Sequence, residues 1–293
     1  MKIARYRHKG EEYYGTVSDE KIVCLPKLAK HLRTQLPEQI ENFIAEENAV
    51  KTAETLLATA DFTAKENASV PLADVSLLAP IAFPPKILCL GRNYVDHSAE
   101  MKAAPPEEPV IFMKPHTAII GPNEKIVKPK FVKELDYEGE LAVVIGKKAK
   151  NLSVAEAAGV IFGYTVFNDI SARDFQFKDG QWTRGKSFDT FAPTGPWVVT
   201  TDQLPDSSNL RIHTWVNGEI RQNATTRNMA LSVSQIIHHL SRVMTLEPCD
   251  IIATGTPSGV GFAMKPPRFL KHGDIVRIEI ESIGTLENTV EEN

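Results

Sequence analysis

The amino-acid sequence predicts an α+β fold, with a small mixed module over residues 1–75 and a larger, sheet-dominated domain over 76–293. Three observations carry this. The chain has 293 residues, about twice the ~150 that one domain commonly uses. Helical periodicity is confined to a few stretches. From residue 86 onward short β-like runs recur, namely KILCLG, VIFMKP, ELAVVIG, IFGYTVFND, TGPWVVT, LRIHTWVNG, DIIATG and DIVRIEI, and most end on glycine, proline or asparagine.

The first 25 residues alternate β-like runs, EEYYGTV and KIVCL, with turn residues, and the stretch 37–60 sets Ile40, Phe43, Ile44, Leu56 and Leu57 at helical spacings. From Asp61 to Pro85 the pattern weakens and paired prolines punctuate the chain, which reads as a connection. In the larger domain Ser153 and Glu156 have capping-box spacing ahead of a short helix. Ser232 and Gln235 have the same spacing ahead of a helix whose Val233, Ile236, Ile237, Leu240 and Met244 form one apolar stripe. Cys24, Cys89 and Cys249 are odd in number and far apart, which predicts buried free thiols rather than a disulfide framework.

Charged residues make up 24% and the AVILMFWYC set 42%, an ordinary globular composition that excludes a disordered, collagen-like or disulfide-dense chain. With 37 acidic against 33 basic residues the net charge is -4, so a nucleic-acid partner has no electrostatic support. Pro or charged residues interrupt every apolar run before it reaches the ~18 residues of a membrane span, and MKIARYRHKGEEYYG lacks the apolar stretch of a secretory signal. The expected location is cytoplasmic, with no membrane partner.

Glu138 and Glu140 in LDYEGELAVVIG are two apart on a strand-like segment, so alternation aims both carboxylates at one face. Like charges held together in a partly desolvated place repel unless a cation compensates. Asp169 closes the next β-like run. Three hard oxygen ligands suit Mg²⁺ or Mn²⁺, and the absence of Cys and His clustering speaks against structural zinc. A Glu-x-Glu pair also fits a wet strand face. Against that plain alternative, Arg173 and Gln176 stand one helical turn apart just after Asp169, and Lys186 sits alone among small and apolar residues in TRGKSFDTFAPTGP. In CLGRNYVDHSAEM, His97 and Glu100 stand three apart, where a carboxylate can fix the imidazole tautomer and raise its basicity. The proline-rich KAAPPEEP that follows has the character of a flap. IIATGTPSGVGF strings Gly255, Gly259 and Gly261 among hydroxyls, an anion-nest composition that matches neither a Walker loop nor a dinucleotide fingerprint.

Taken together, the ordered blocks GRNYVDHSAEM, LDYEGELAVVIGK, GYTVFNDISARDFQ, GKSFDTFAPTGP, VNGEIRQ and DIIATGTPSGVG followed by HGDIVRIEIESIGTLEN resemble the fumarylacetoacetate hydrolase superfamily over about residues 78–290. The resemblance implies a mixed β-roll, a sheet wrapped around a central helix for which the helix from Ser232 is the candidate, assembled as a homodimer. It implies metal ligands at Glu138, Glu140 and Asp169, a catalytic dyad at His97 and Glu100, and a pocket cation at Lys186. Substrate contacts fall on Arg92, Tyr94, Arg173, Gln176 and Thr256. The implied ion is Mg²⁺ or Mn²⁺ and the implied substrate a small 2-oxo acid. Cleavage of its C3–C4 bond through an enolate covers both acylpyruvate-type hydrolysis, which needs activated water, and oxaloacetate decarboxylation, which does not. Isomerisation of 2-hydroxyhepta-2,4-diene-1,7-dioate is the alternative within the family, and a non-catalytic metabolite-binding regulator the alternative outside it. Specificity beyond the 2-oxo acid head is expected to lie in the flap after Met101 and the loop 177–184.

Overall fold

The computed structural model describes residues 1–100, 104, 106–178 and 180–293. A mixed sheet of twelve strands runs through the molecule. Its main path is Ser69–Pro71, Lys21–Cys24, Glu11–Ser18, Lys2–His8, Ala192–Thr200, Ile161–Asn168, Gly139–Ile145, Ile251–Ala253, Ile87–Gly91 and Val110–Lys114, while Ser76–Leu78 pairs with Lys2–His8 and Ile119–Ile120 with Ala192–Thr200. A second sheet orders Glu219–Thr225, Arg211–Val216, Ile275–Ile280, Gly284–Glu292 and Lys125–Lys128, and a two-stranded ribbon joins Leu135–Asp136 to Ser171–Ala172. With the helices gathered mainly in the amino-terminal region, this is the mixed α+β architecture that the run pattern predicts.

Strand Gly139–Ile145 is buried along its whole length, as its apolar run LAVVI demands of a strand flanked on both edges. Its alternate residues feed two cores. Leu141, Val143 and Ile145 join the larger one, with Ile212, Ile278 and Leu286 of the five-stranded sheet, whereas Ala142 and Val144 join a second with Cys89 and Phe112 and with Ile3, Tyr14 and Phe43 of the amino-terminal module. Parity therefore sends Glu138 and Glu140 toward the second side.

Three local expectations differ from the structure. The 61–85 stretch contains a helix, Phe62–Ala68, whose N-cap Asp61 accepts a hydrogen bond from the Ala64 backbone N–H at 2.7 Å. With only seven residues it has too few apolar positions to show a period. After the Ser153–Glu156 box, which forms, the chain makes a turn and the 3₁₀ segment Ala157–Val160 rather than an α-helix. The helix Val233–Val243 has its full capping box, but it is amphipathic. Ile236, Ile237 and Leu240 are buried while Val243 is 67% exposed. One apolar stripe can bury only one face, so this helix caps the core instead of passing through its centre. All three cysteines are free and buried. Among the described residues no helix is long and apolar enough to cross a membrane.

Candidate active site

The antiparallel register of Gly139–Ile145 with Ile161–Asn168 sets Gly139 opposite Asn168, and the Asp169 N–H donates to the Glu138 carbonyl at 2.9 Å. Asp169 thus arrives beside Glu138 and Glu140, and ligand oxygens of the three lie within 4.8 Å of one another. All three side chains are buried.

Basic groups surround them. Lys186 Nζ donates to Glu138 Oε2 and to Asp169 Oδ2, each at 2.8 Å. Lys114 donates to Asp169 Oδ1 and, at 3.0 Å, to the Ile170 carbonyl. Arg173 Nη2 lies 2.7 Å from Glu138 Oε1, its Nε donates to Asp136 Oδ2 at 3.0 Å, and its Nη1 donates to Gln176 Oε1 at 2.9 Å. The Arg173 fork thus hydrogen-bonds protein groups through Nε and Nη1 and forms ion pairs through Nη2 with Asp136 and Glu138, an arrangement that holds Glu138 in place. Gln176 serves that fork.

Electrostatics separate the two glutamates. Burial raises the proton affinity of Glu138, but the charges of Lys186 and Arg173 lead the effects that outweigh it and hold its carboxyl at about 2. Burial drives Glu140 the other way, well above the usual carboxylate range, and the charges of Asp169 and Glu138 add to that. Glu140 has one recorded donor, the Gly255 N–H at 2.8 Å. Counting Asp136, the cluster sets four carboxylates against three basic side chains, and the raised affinity of Glu140 expresses that deficit.

A hard divalent cation fits. The donors are three carboxylate oxygens, the ion's charge answers the deficit, and the nearest thiol, Cys89, is kept protonated by burial and by the charge of Asp169. Glu138, Glu140 and Asp169 would hold it.

His97 is buried, and its Nδ1 lies 3.1 Å from Glu100 Oε2. With Nδ1–H donating to that carboxylate, Nε2 is left as the basic nitrogen. The other Glu100 oxygen accepts from the Gly259 N–H at 3.1 Å, so the glycine-rich loop anchors the dyad. Gly259 has a φ of +102°, and a Cβ there would lie 2.0 Å from the Arg221 carbonyl, which is why this position requires glycine. Thr256 donates its hydroxyl to the Gly139 carbonyl at 3.0 Å and accepts from Gln222 Nε2 at 2.7 Å, tying the loop to the metal-side strand. Tyr94 is fully buried, its hydroxyl has no partner among the described residues, and burial together with the charge of Glu140 raises its pKa strongly. Arg92 has a φ of +59° and is half-buried, and its buried Nε has no partner among the described residues.

Three residues of this arrangement escape the sequence reading. Asp136, fully buried, binds Arg173 and accepts from the Gly261 and Phe262 N–H groups at 2.7 and 3.1 Å. It ends the separate short strand Leu135–Asp136, so the alternation of the Gly139–Ile145 strand does not reach it. Lys114 ends the strand VIFMK, where a lone charge closing an apolar run is the only hint. Gln222 binds Gly139, Thr214, Thr256 and Pro257 at once. The flap expected after Met101 begins on positions 101–103 and 105, which lie outside the described residues, as does position 179 of the 177–184 loop.

Comparison with known proteins agrees with this architecture. The family described as fumarylacetoacetate (FAA) hydrolase C-terminal matches residues 86–291, and an Rv2993c-like N-terminal family matches 1–80. The chain is 46% identical over 244 residues to oxaloacetate tautomerase fahd2, mitochondrial, of Xenopus laevis, covering 82% of this chain and 76% of that protein. Two solved structures align over the full chain. One is 2-hydroxyhepta-2,4-diene-1,7-dioate isomerase from Mycobacterium marinum, at 39% identity, a TM-score of 0.77 and 99% coverage of that chain. The other is maleylpyruvate hydrolase from Sphingobium sp. SYK-6 in complex with manganese(II) ion and pyruvate, at 32% identity, a TM-score of 0.81 and 100% coverage of that chain. On its sequence, its sheet topology and its buried carboxylate triad, the chain belongs to the fumarylacetoacetate hydrolase family.

Proposed function

We propose that the protein turns over a small 2-oxo acid through its enolate, cleaving the C3–C4 bond with the help of a Mg²⁺ or Mn²⁺ ion held by Glu138, Glu140 and Asp169. The observation that carries this reading is the buried cluster one positive charge short, set beside a His–Glu dyad. When bound, the ion supplies Lewis-acid polarisation of the ketone and a template for the 2-oxo acid head.

The remaining steps belong to the protein. Lys186 has three donors and its two recorded hydrogen bonds go to Glu138 and Asp169, so the third can meet negative charge developing on the substrate's 2-oxygen. Arg173, fixed by Asp136 and Gln176, keeps Glu138 in place. Where C4 is a ketone, His97 Nε2 takes a proton from water, Glu100 stabilises the resulting imidazolium, and the water oxygen adds to C4. Bond cleavage then leaves a carboxylic acid and the enolate, which is protonated to pyruvate. Where C4 is a carboxylate, carbon dioxide leaves and no water is needed. Tyr94, Arg92 and Thr256 border this space as candidate substrate contacts.

The oxaloacetate tautomerase relative favours a second reading, in which a proton alone moves between C3 and the 2-oxygen through the same enolate. One panel separates the two. Metal-stripped protein is supplied with Mg²⁺ or Mn²⁺ and tested on acetylpyruvate, oxaloacetate and a hydroxy-dienedioate, following diketone absorbance, enol absorbance and released carbon dioxide. Metal-dependent loss of diketone or release of carbon dioxide supports cleavage. Enol conversion without either product replaces cleavage with tautomerisation, and no turnover of any substrate would leave a metabolite-binding regulator. His97→Ala should slow acylpyruvate hydrolysis at least 10²-fold, the usual worth of a general base, and decarboxylation much less. Equal losses would remove the water-activating role from His97.

A further inference from the structure

A cavity of about 440 Å³, lined by both Val216 and Arg221 of the five-stranded sheet, by residues 267–272 and by Lys128 and Lys133, plays no part in the chemistry above. Five fixed cations line it, Lys128, Lys133, Arg221, Arg268 and Lys271. The carboxylates nearby are fewer and already engaged. Glu292 pairs with Lys128, Glu219 chelates Arg268 at 2.6 and 2.9 Å, Asp274 accepts from Asn217 Nδ2 and the Lys271 N–H, each at 2.8 Å, and Asp174 accepts from the Lys133 N–H at 2.8 Å. An excess of one positive charge remains. Arg221 is the telling residue. Its side chain is 6% exposed, Nη1 donates to Met264 Sδ at 3.0 Å, Nη2 stands 3.4 Å from Glu219, and Nε has no partner among the described residues. An arginine fork presents its donors to planar or tetrahedral oxyanions.

We propose that this cavity is a second anion site, taking a small oxyanion of the phosphate or dicarboxylate class, and that its occupancy adjusts the glycine-rich loop. The path is one backbone contact long on each side. The Arg221 carbonyl packs against Gly259, whose N–H holds Glu100, and the Arg268 N–H donates at 2.9 Å to the carbonyl of Gly261, whose own N–H holds Asp136. An anion that draws the Arg221 and Arg268 side chains inward therefore presses on the two loop residues that orient the dyad and the Arg173 support.

The full chain, stripped of metal so that the carboxylate cluster offers no site for an anion, is titrated calorimetrically with inorganic phosphate in one arm and malonate in the other. Saturable one-site binding is expected in at least one arm, and the arm that binds more tightly names the ligand class. Lys133 and Lys271 are exposed and distant in role from the loop, so Lys133→Ala/Lys271→Ala preserves the fold and should weaken binding roughly tenfold or more, as two charge-assisted contacts are lost. Amide hydrogen exchange over residues 255–262 should slow when the anion is added. Absence of saturation by either probe up to about 10 mM, an affinity too weak to matter, overturns the site. Equal affinity in the double variant also overturns it, and unchanged exchange at 255–262 overturns the coupling. The binding arm does not depend on the catalytic reading.

Discussion

Glu140→Gln and Glu138→Gln remove the same atoms' charge two residues apart, yet the structure assigns them opposite consequences. In the metal-free protein burial and the charges of Asp169 and Glu138 raise the proton affinity of Glu140, the amide of glutamine imitates the protonated form, and the Gly255 N–H keeps an acceptor. Glu140→Gln should change metal-free stability by no more than about 1 kcal/mol, the worth of an ordinary hydrogen bond. Glu138 is ionised and meets Lys186 at 2.8 Å and Arg173 at 2.7 Å, both buried. Its loss leaves two buried cations short of a partner and should cost about 3–5 kcal/mol. Unfolding is followed in denaturant, with chelator and then with Mn²⁺ at about a hundred times its dissociation constant. There the wild-type chain should gain ~2.7 kcal/mol, and neither variant should retain most of that gain. The pH dependence runs in opposite senses. The folded proton affinity of Glu140 lies above the ordinary carboxyl value of 4.5, so metal-free stability falls as pH rises from that value through the elevated one, and Glu140→Gln abolishes the slope. Glu138, at about 2 in the fold, contributes stability that is present above 4.5 and lost as pH falls toward 2. Equal destabilisation of the two variants in chelator, or an undiminished Mn²⁺ shift in Glu140→Gln, would refute the charge ledger.

Gly259→Ala should destabilise the chain by roughly 2 kcal/mol or more, since a left-handed backbone and a 2.0 Å approach to the Arg221 carbonyl both exclude a Cβ. Thermal melting measures it, and an unshifted midpoint would show that the loop relaxes freely. Lys114→Met removes a buried donor from Asp169 and from the Ile170 carbonyl and should cost about 3 kcal/mol or more, read by denaturant unfolding. Metal affinity, followed by calorimetry, should rise with pH because the ion competes with protons for Glu140, whose proton affinity burial raises. A profile flat from the ordinary carboxyl value of 4.5 upward would contradict that competition.

What could be read in advance was whatever depends on local alternation. Glu138 and Glu140 share a face because strands have period two, and His97 meets Glu100 because helices bring i and i+3 together. Lys114 and Gln222 were not legible, since their roles come from strand pairing across long stretches of chain. Asp136 is placed by the ribbon that pairs Leu135–Asp136 with Ser171–Ala172, again a contact between distant stretches of chain. The helix from Ser232 was correctly placed, but its position as a cap followed from having one apolar stripe, a fact already in the sequence.

The second core has a consequence for how the molecule comes apart. Phe43 of the amino-terminal module stands edge-on to Phe162, with ring centroids 6.2 Å apart, and both share that core with Ala142 and Val144, which belong to the metal-side strand. The chain should therefore melt in one cooperative step, with no early departure of residues 1–75. A lesion in the module's aromatic seam, far from any ligand, would be felt as looser grip on the ion.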